Sequence, residues 1–145
     1  MNTKKFLIAG IVGGIIYFLL GYVFYGNLFS DFFMKNAGTA TGVSRSMDQF
    51  VWWALALGNI FGGFLLSYVF IKSNVRTVGS GLLTGAAIGL LMAASYDLIS
   101  YGTSNLTTTT GVVGDIGIFA LMSAITGAVV ALILGLIGKA SVTKA

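Results

Sequence analysis

Four long runs of residues, each nearly free of charge, constrain this chain more than anything else in it. A helix crossing the ~30 Å hydrocarbon layer of a bilayer needs about 20 predominantly apolar residues. Residues 6–25, 50–71, 78–98 and 116–137 each meet that requirement. Membrane barrel strands would show ~10-residue segments alternating apolar and polar, and these runs do not alternate. Their many glycines do not argue against helix, because glycine is common in transmembrane helices and lets backbones approach. Only 8% of the residues are charged, against roughly 25% in a soluble domain. The expected fold is all-α: a single membrane domain of 145 residues, built as an integral four-helix bundle.

Orientation follows from the basic residues of short loops, which favour the cytoplasmic side. Lys4, Lys5, Lys72, Arg76, Lys139 and Lys144 fall on one side of such a bundle, and only Lys35 and Arg45 on the other. Both termini are therefore expected in the cytoplasm. Lys4 and Lys5 before an apolar run also fit a secretory leader, but the run is span-length and no small-x-small site follows it directly. The net charge of +4 reads as this topological bias plus attraction to anionic lipid. No dense basic cluster with interleaved aromatics suggests nucleic acid as a partner.

All four acidic residues lie toward the outer side: Asp31, Asp48, Asp97 and Asp115. Ser46-Met47-Asp48-Gln49 has capping-box spacing, so Ser46 is expected to cap the second span. Asp115 is expected as a cap or first-turn carboxylate of the fourth span. In the first outer loop, Leu28, Phe29, Phe32 and Phe33 have helical spacing. They predict a short helix lying on the outer leaflet, with a lid folded over the bundle as the alternative and a mobile Gly/Thr/Ser tail behind it. Trp52 and Trp53 mark the entry of the second span.

Small residues four apart mark the faces on which helices meet in lipid. Gly81, Gly85, Gly89 and Ala93 form one ridge. Gly127, Ala131 and Gly135, with Ala124 and Ala128 alongside, form a second. Gly58 and Gly62 mark the second span, and Gly10, Gly13 and Gly14 the first. Some of these faces could instead join two copies of the chain. A weak internal repeat, with Tyr25-Gly26 and Tyr101-Gly102 at matching boundaries, suggests two related hairpins about an axis normal to the membrane.

Polar groups at depth are functional candidates by default. Tyr17, Asn59, Ser123 and Thr126 lie near the midplane and are uncharged, with interhelical hydrogen bonding as their simplest role. Asp97 shares the small-residue face of the third span and should point into the bundle near its outer mouth, where Arg45, Lys35 or Tyr22 could partner it. Asp97, Tyr22, Asn59, Tyr17 and Thr126 are the candidate ligand-binding residues. His, Cys and Glu are absent, so catalytic, metal-binding and cofactor-binding residues are expected to be none.

Gly21-Tyr22-Val23-Phe24-Tyr25 followed by Phe29 and Phe33 resembles the end of the first span in a family of small four-span bacterial proteins, domain of unknown function 1761. That family carries a G-x-x-W-Y…F…W pattern, and this chain has Phe24 and Phe33 where tryptophan is usual. Tyr96-Asp97-Leu98 with Asp115 resembles a second four-span family, domain of unknown function 2177. The resemblance implies a multi-pass protein of the bacterial cytoplasmic membrane, and supplies no activity. The first functional expectation is a non-enzymatic accessory or scaffolding subunit, or a self-associating bundle. Its partners would be membrane lipids and either further copies or a larger complex. The alternative is binding or transport of a small neutral or lipid-like molecule in a polar pocket open to the outer side.

Overall fold

The computed structural model describes residues 2–142, and the side chains of residues 2–138. Each apolar run becomes a helix, and local chemistry sets where each begins. The first, α1 (Thr3–Val23), starts where the Asn2 side chain accepts a hydrogen bond from the Lys5 amide. At its far end the chain widens into a π turn, Phe24–Leu28, closed by the Phe29 amide on the Phe24 carbonyl at 2.8 Å. A short helix α2 (Ser30–Lys35) follows, then a 3-10 turn at Met47–Gln49, and then α3 (Trp52–Lys72). Helix α4 spans Val78–Thr103 and α5 spans Thr109–Val142. Among the described residues, four helical segments are long and apolar enough to cross a membrane: α1 with its π turn, α3, α4 and α5.

The turn between α3 and α4 shows how little sequence is needed to reverse the chain. Asn74 takes a positive φ of 52° just past the end of α3. The Val75 amide then reaches back to the Phe70 carbonyl at 2.9 Å, and Val75 buries its side chain. This is a Schellman closure with asparagine in the left-handed position. Thr77 and Ser80 next form a reciprocal capping box that starts α4.

The helices stand in the order α3, α1, α5, α4. The tightest pairs are α4 with α5 and α1 with α3, while α1 and α5 join the two pairs and α3 and α4 barely meet. Side chains of α3 and α5 fill the centre, with Leu66, Phe70, Val130 and Leu134 essentially fully buried. The two hairpins are consequently not equivalent, because α1 is central and α4 peripheral. Tyr25 and Tyr101 have correspondingly different surroundings: the Tyr25 hydroxyl reaches Asp115, whereas Tyr101 bonds only the nearby Thr109 hydroxyl.

Glycines make the close approaches. Gly81 lies against Ala131 and the Gly127 backbone, Gly85 against Gly127 and the Ser123 carbonyl, and Gly89 against the Ser123 side chain. On the other side, Gly10 meets the Phe64 ring, while Gly13 and Gly14 meet Gly63 and Ile60. The expected ridges of the first, third and fourth spans are thus contact faces. The second is not as expected: Gly58 faces open space, Gly62 makes only ordinary contact with the Tyr17 ring, and Gly63 carries the approach.

Several local expectations change. Ser46 makes no side-chain cap and precedes the 3-10 turn rather than α3, which starts after Val51 without a capping side chain. Helix α5 starts seven residues earlier than the apolar run, at Thr109. The Thr108 hydroxyl accepts from the Gly111 amide there, so Asp115 lies well inside the helix instead of capping it. The first long loop does not lie away from the helices. Phe29 and Phe33 pack on the core cluster, and the Phe32 ring sits over Gly114. Its tail is stitched to the second loop: Gly38 and Ala40 amides donate to the carbonyls of Leu106 and Asn105, and the Thr108 amide donates to the Asn36 carbonyl. The folded-over alternative is the one adopted, because it covers three phenylalanines and satisfies the loop's own backbone groups.

Candidate functional site

Two features share the end of the molecule that carries the loops, opposite the start of α1. The first is a carboxylate pair. Along α4 the buried positions are Gly81, Gly85, Gly89, Ala93 and Asp97, one residue in four. The helix opposite runs antiparallel at glycine distance, so each four-residue step along α4 meets a four-residue step back along α5. The rungs Gly81–Ala131, Gly85–Gly127 and Gly89–Ser123 continue in register to Asp97 opposite Asp115. Two unit charges about 4 Å apart repel by roughly 4 kcal/mol at an effective dielectric near 20. The glycine seam holds them together despite that cost.

Tyr25 completes the cluster. The π turn carries its hydroxyl across to α5, where it donates to Asp115 Oδ1 at 2.5 Å. Its ring packs on Phe33 with centroids 5.2 Å apart, which ties the cluster to α2. Asp97 is only 9% exposed, and its Oδ2 has no hydrogen-bond partner. Among the described residues no lysine or arginine pairs with either carboxylate.

The second feature is a cleft of about 890 Å³ between the loop-side ends of α1 and α3, roofed by residues of the first loop. Its walls include Phe18, Phe50, Val51, Trp52, Leu55, Phe119 and Met122, with Val43 and Met47 from the loop. Polar groups are few: Arg45, Tyr25, Ser30, Tyr22 and Asn59. Arg45 is the one cation among these lining residues, and its guanidinium has only a long 3.4 Å bond to the Gln49 carbonyl. Asn59 stands seven residues into α3, about 10 Å below its start at 1.5 Å per residue. A volume of this size with mostly apolar walls and a few placed polar groups has the character of a small-molecule site.

The five residues singled out from sequence do not converge on one pocket. Tyr22 and Asn59 line the cleft. Tyr22 is 53% exposed and does not reach Asp97; Tyr25 is the tyrosine at the carboxylates, bonded to Asp115. Asn59 donates within its own helix, to the Leu55 carbonyl at 2.8 Å, instead of bridging helices. Tyr17 does bridge them, its buried hydroxyl donating to Ser123 at 2.8 Å between α1 and α5. Thr126 is fully buried, and its hydroxyl bonds no other helix. Asp97 is inside the seam as expected, but neither Arg45 nor Lys35 pairs with it. Tyr25 carries no site expectation in the sequence reading, whereas Arg45 is expected there beside Asp97 and not at a cleft, and Asp115 as a cap of the fourth span. Compared with family models, with curated proteins and with solved structures, the chain matches none of them.

Proposed function

We propose that this is a multi-pass membrane protein that holds an anionic, acyl-chain amphiphile in the cleft beneath its first loop, without catalysis. The observation that carries this reading is the pairing of a long apolar wall with a single, poorly satisfied arginine at the loop. Phe18, Leu55, Phe119 and Met122 would accept the chain, Arg45 the anionic group, and Asn59 a polar group deeper along it. Lipid surrounding such a protein supplies amphiphiles of this kind at high local concentration. Neither Asp97 nor Asp115 is among the residues lining the cleft, which suits an anionic guest.

The test uses the tryptophans as reporters, since Trp52 lines the cleft and the chain has only two. A long-chain fatty acid brominated along its chain should quench that fluorescence saturably in the purified protein. Arg45→Ala should weaken binding of the acid about tenfold, equivalent to roughly 1.4 kcal/mol, and leave the uncharged methyl ester unaffected. Ala54→Phe, which fills the cleft, should abolish both. Unsaturable quenching, or quenching that survives Ala54→Phe, removes the cleft as the binding site.

The same proposal places the loop end outside a bacterial cytoplasmic membrane and the termini inside. Support comes from Lys4, Lys5, Lys72 and Arg76, which gather at the opposite end of the helices from Asp31 and Asp48, as the positive-inside rule requires. In intact cells, Thr39→Cys should react with an impermeant thiol reagent and Ser73→Cys should not. The opposite labelling pattern would invert the assignment.

A further inference from the structure

The carboxylate pair has a chemistry that the cleft does not use. Asp97 and Asp115 project from α4 and α5 at matching depth, each six residues from its end of the connecting loop. Their separation is set by the helix pair, because Gly81, Gly85 and Gly89 hold α4 at backbone contact with α5. Asp97 is nine-tenths buried and its Oδ2 has no hydrogen-bond partner; the register sets it opposite Asp115, which accepts from the Tyr25 hydroxyl. Among the described residues no basic side chain balances the two charges.

We propose that Asp97 and Asp115 bind one hard divalent cation of the calcium class between α4 and α5. The donors are all oxygens: four from the carboxylates and the Tyr25 hydroxyl, which orients Asp115 by donating to Oδ1. Thiolate and imidazole ligands, which select softer ions, do not occur in this chain. Calcium accepts six to eight oxygens in flexible geometry, whereas magnesium demands a near-ideal octahedron and sheds water reluctantly. Two carboxylates fixed on helices, with water completing the shell, suit the larger and more tolerant ion. The ion would turn the most unfavourable contact of the seam into a clamp across it. This site is independent of amphiphile binding, so either can fail without the other.

Thermal unfolding of the purified full chain, first stripped with chelator, tests the proposal. Calcium chloride should raise Tm saturably, by roughly 5 °C at a hundredfold excess over Kd, beyond any effect of sodium chloride at equal ionic strength. Asp97→Asn keeps the shape of the side chain and should abolish the shift, as should Asp115→Asn. Asp31→Asn, an exposed carboxylate of α2, should retain it. Equilibrium dialysis of the wild-type protein with radioactive calcium should find one ion per chain, which keeps the test decisive if a variant fails to fold. The absence of a saturable shift, a shift that persists in Asp97→Asn, or dialysis finding no bound calcium overturns the proposal. A chain that gains stability only on acidification, with no response to calcium, overturns it too, and shows that the pair shares a proton instead.

Discussion

Replacing Gly85 with leucine is expected to destabilise the protein in detergent more than any other substitution on α4. Gly85 lies against the Ser123 carbonyl and the Gly127 backbone, so a side chain there has no flexible neighbour to displace. The helices must separate, and every contact along the seam loosens with them. Within a bilayer, helices associate through close packing rather than a hydrophobic drive, which makes that loss hard to recover. Overpacking of this kind costs on the order of 3 kcal/mol or more. Gly58→Leu, placed where nothing lies within 4 Å, should change stability by about 0.5 kcal/mol at most. Leu83→Ala, at a side chain 70% exposed, should behave like Gly58→Leu. Thermal unfolding of the three proteins beside the wild type ranks them directly. A Gly85→Leu protein that melts with the wild type would show that α4 does not pack through this face.

That face was legible from residue spacing alone, and more was legible than spacing on a single helix suggests. Gly81, Gly85 and Gly89 stand as far before residue 106 as Ala131, Gly127 and Ser123 stand after it. An antiparallel hairpin reversing near that residue must pair them, and the next positions in register include Asp97 and Asp115. Reading each helix separately gives the burial of Asp97 and offers Asp115 as a possible carboxylate partner, without the register that pairs them. Asp115 reads as a cap because the fourth apolar run is begun at its first isoleucine. The threonines and glycines before it, which would end a helix in water, continue α5 back to Thr109. Glycine between closely packed helices favours approach more than it opposes helix.

The loop was legible only in part. Helical spacing of Phe29, Phe32 and Phe33 gave a short amphipathic helix, and α2 is one. Periodicity identifies an apolar face but does not say which surface it will meet. Here Gly114 leaves room for the Phe32 ring, and the second loop offers carbonyls to Gly38 and Ala40. Both partners lie between 65 and 82 residues away along the chain, beyond the reach of a local pattern. The arginine of the cleft is positioned by the same folding-over, so a loop read as mobile offers Arg45 as a partner of Asp97 and not as a cleft residue.

Tyr25 is the clearest case of a residue hidden by local geometry, and removing its hydroxyl is the second substitution with a large expected effect. Regular helix periodicity carries α1 to its end, where Tyr22 looks as well placed as Tyr25 to face the acids. The π turn at Phe24–Leu28 inserts extra chain, and turns of this kind recur at functional positions. Within it Tyr25 reaches Asp115, while Tyr22, in α1 before it, stays more than half exposed. Tyr25→Phe keeps the ring on Phe33 and removes only the donor. The Asp115 carboxyl, opposite Asp97 in the seam, then has no hydrogen bond from Tyr25 to offset the repulsion. A hydrogen bond to a charged group contributes about 1.5–3 kcal/mol, so a loss near 2 kcal/mol is expected. Tyr22→Phe should stay within about 0.5 kcal/mol of the wild type. If the hydroxyl acts through Asp115, Tyr25→Phe should cost much less in an Asp115→Asn background, with a coupling of about 1–2 kcal/mol in the double-mutant cycle. Additive effects would mean that Tyr25 stabilises the chain through its ring and the π turn, and that the hydroxyl does not hold the carboxylate pair.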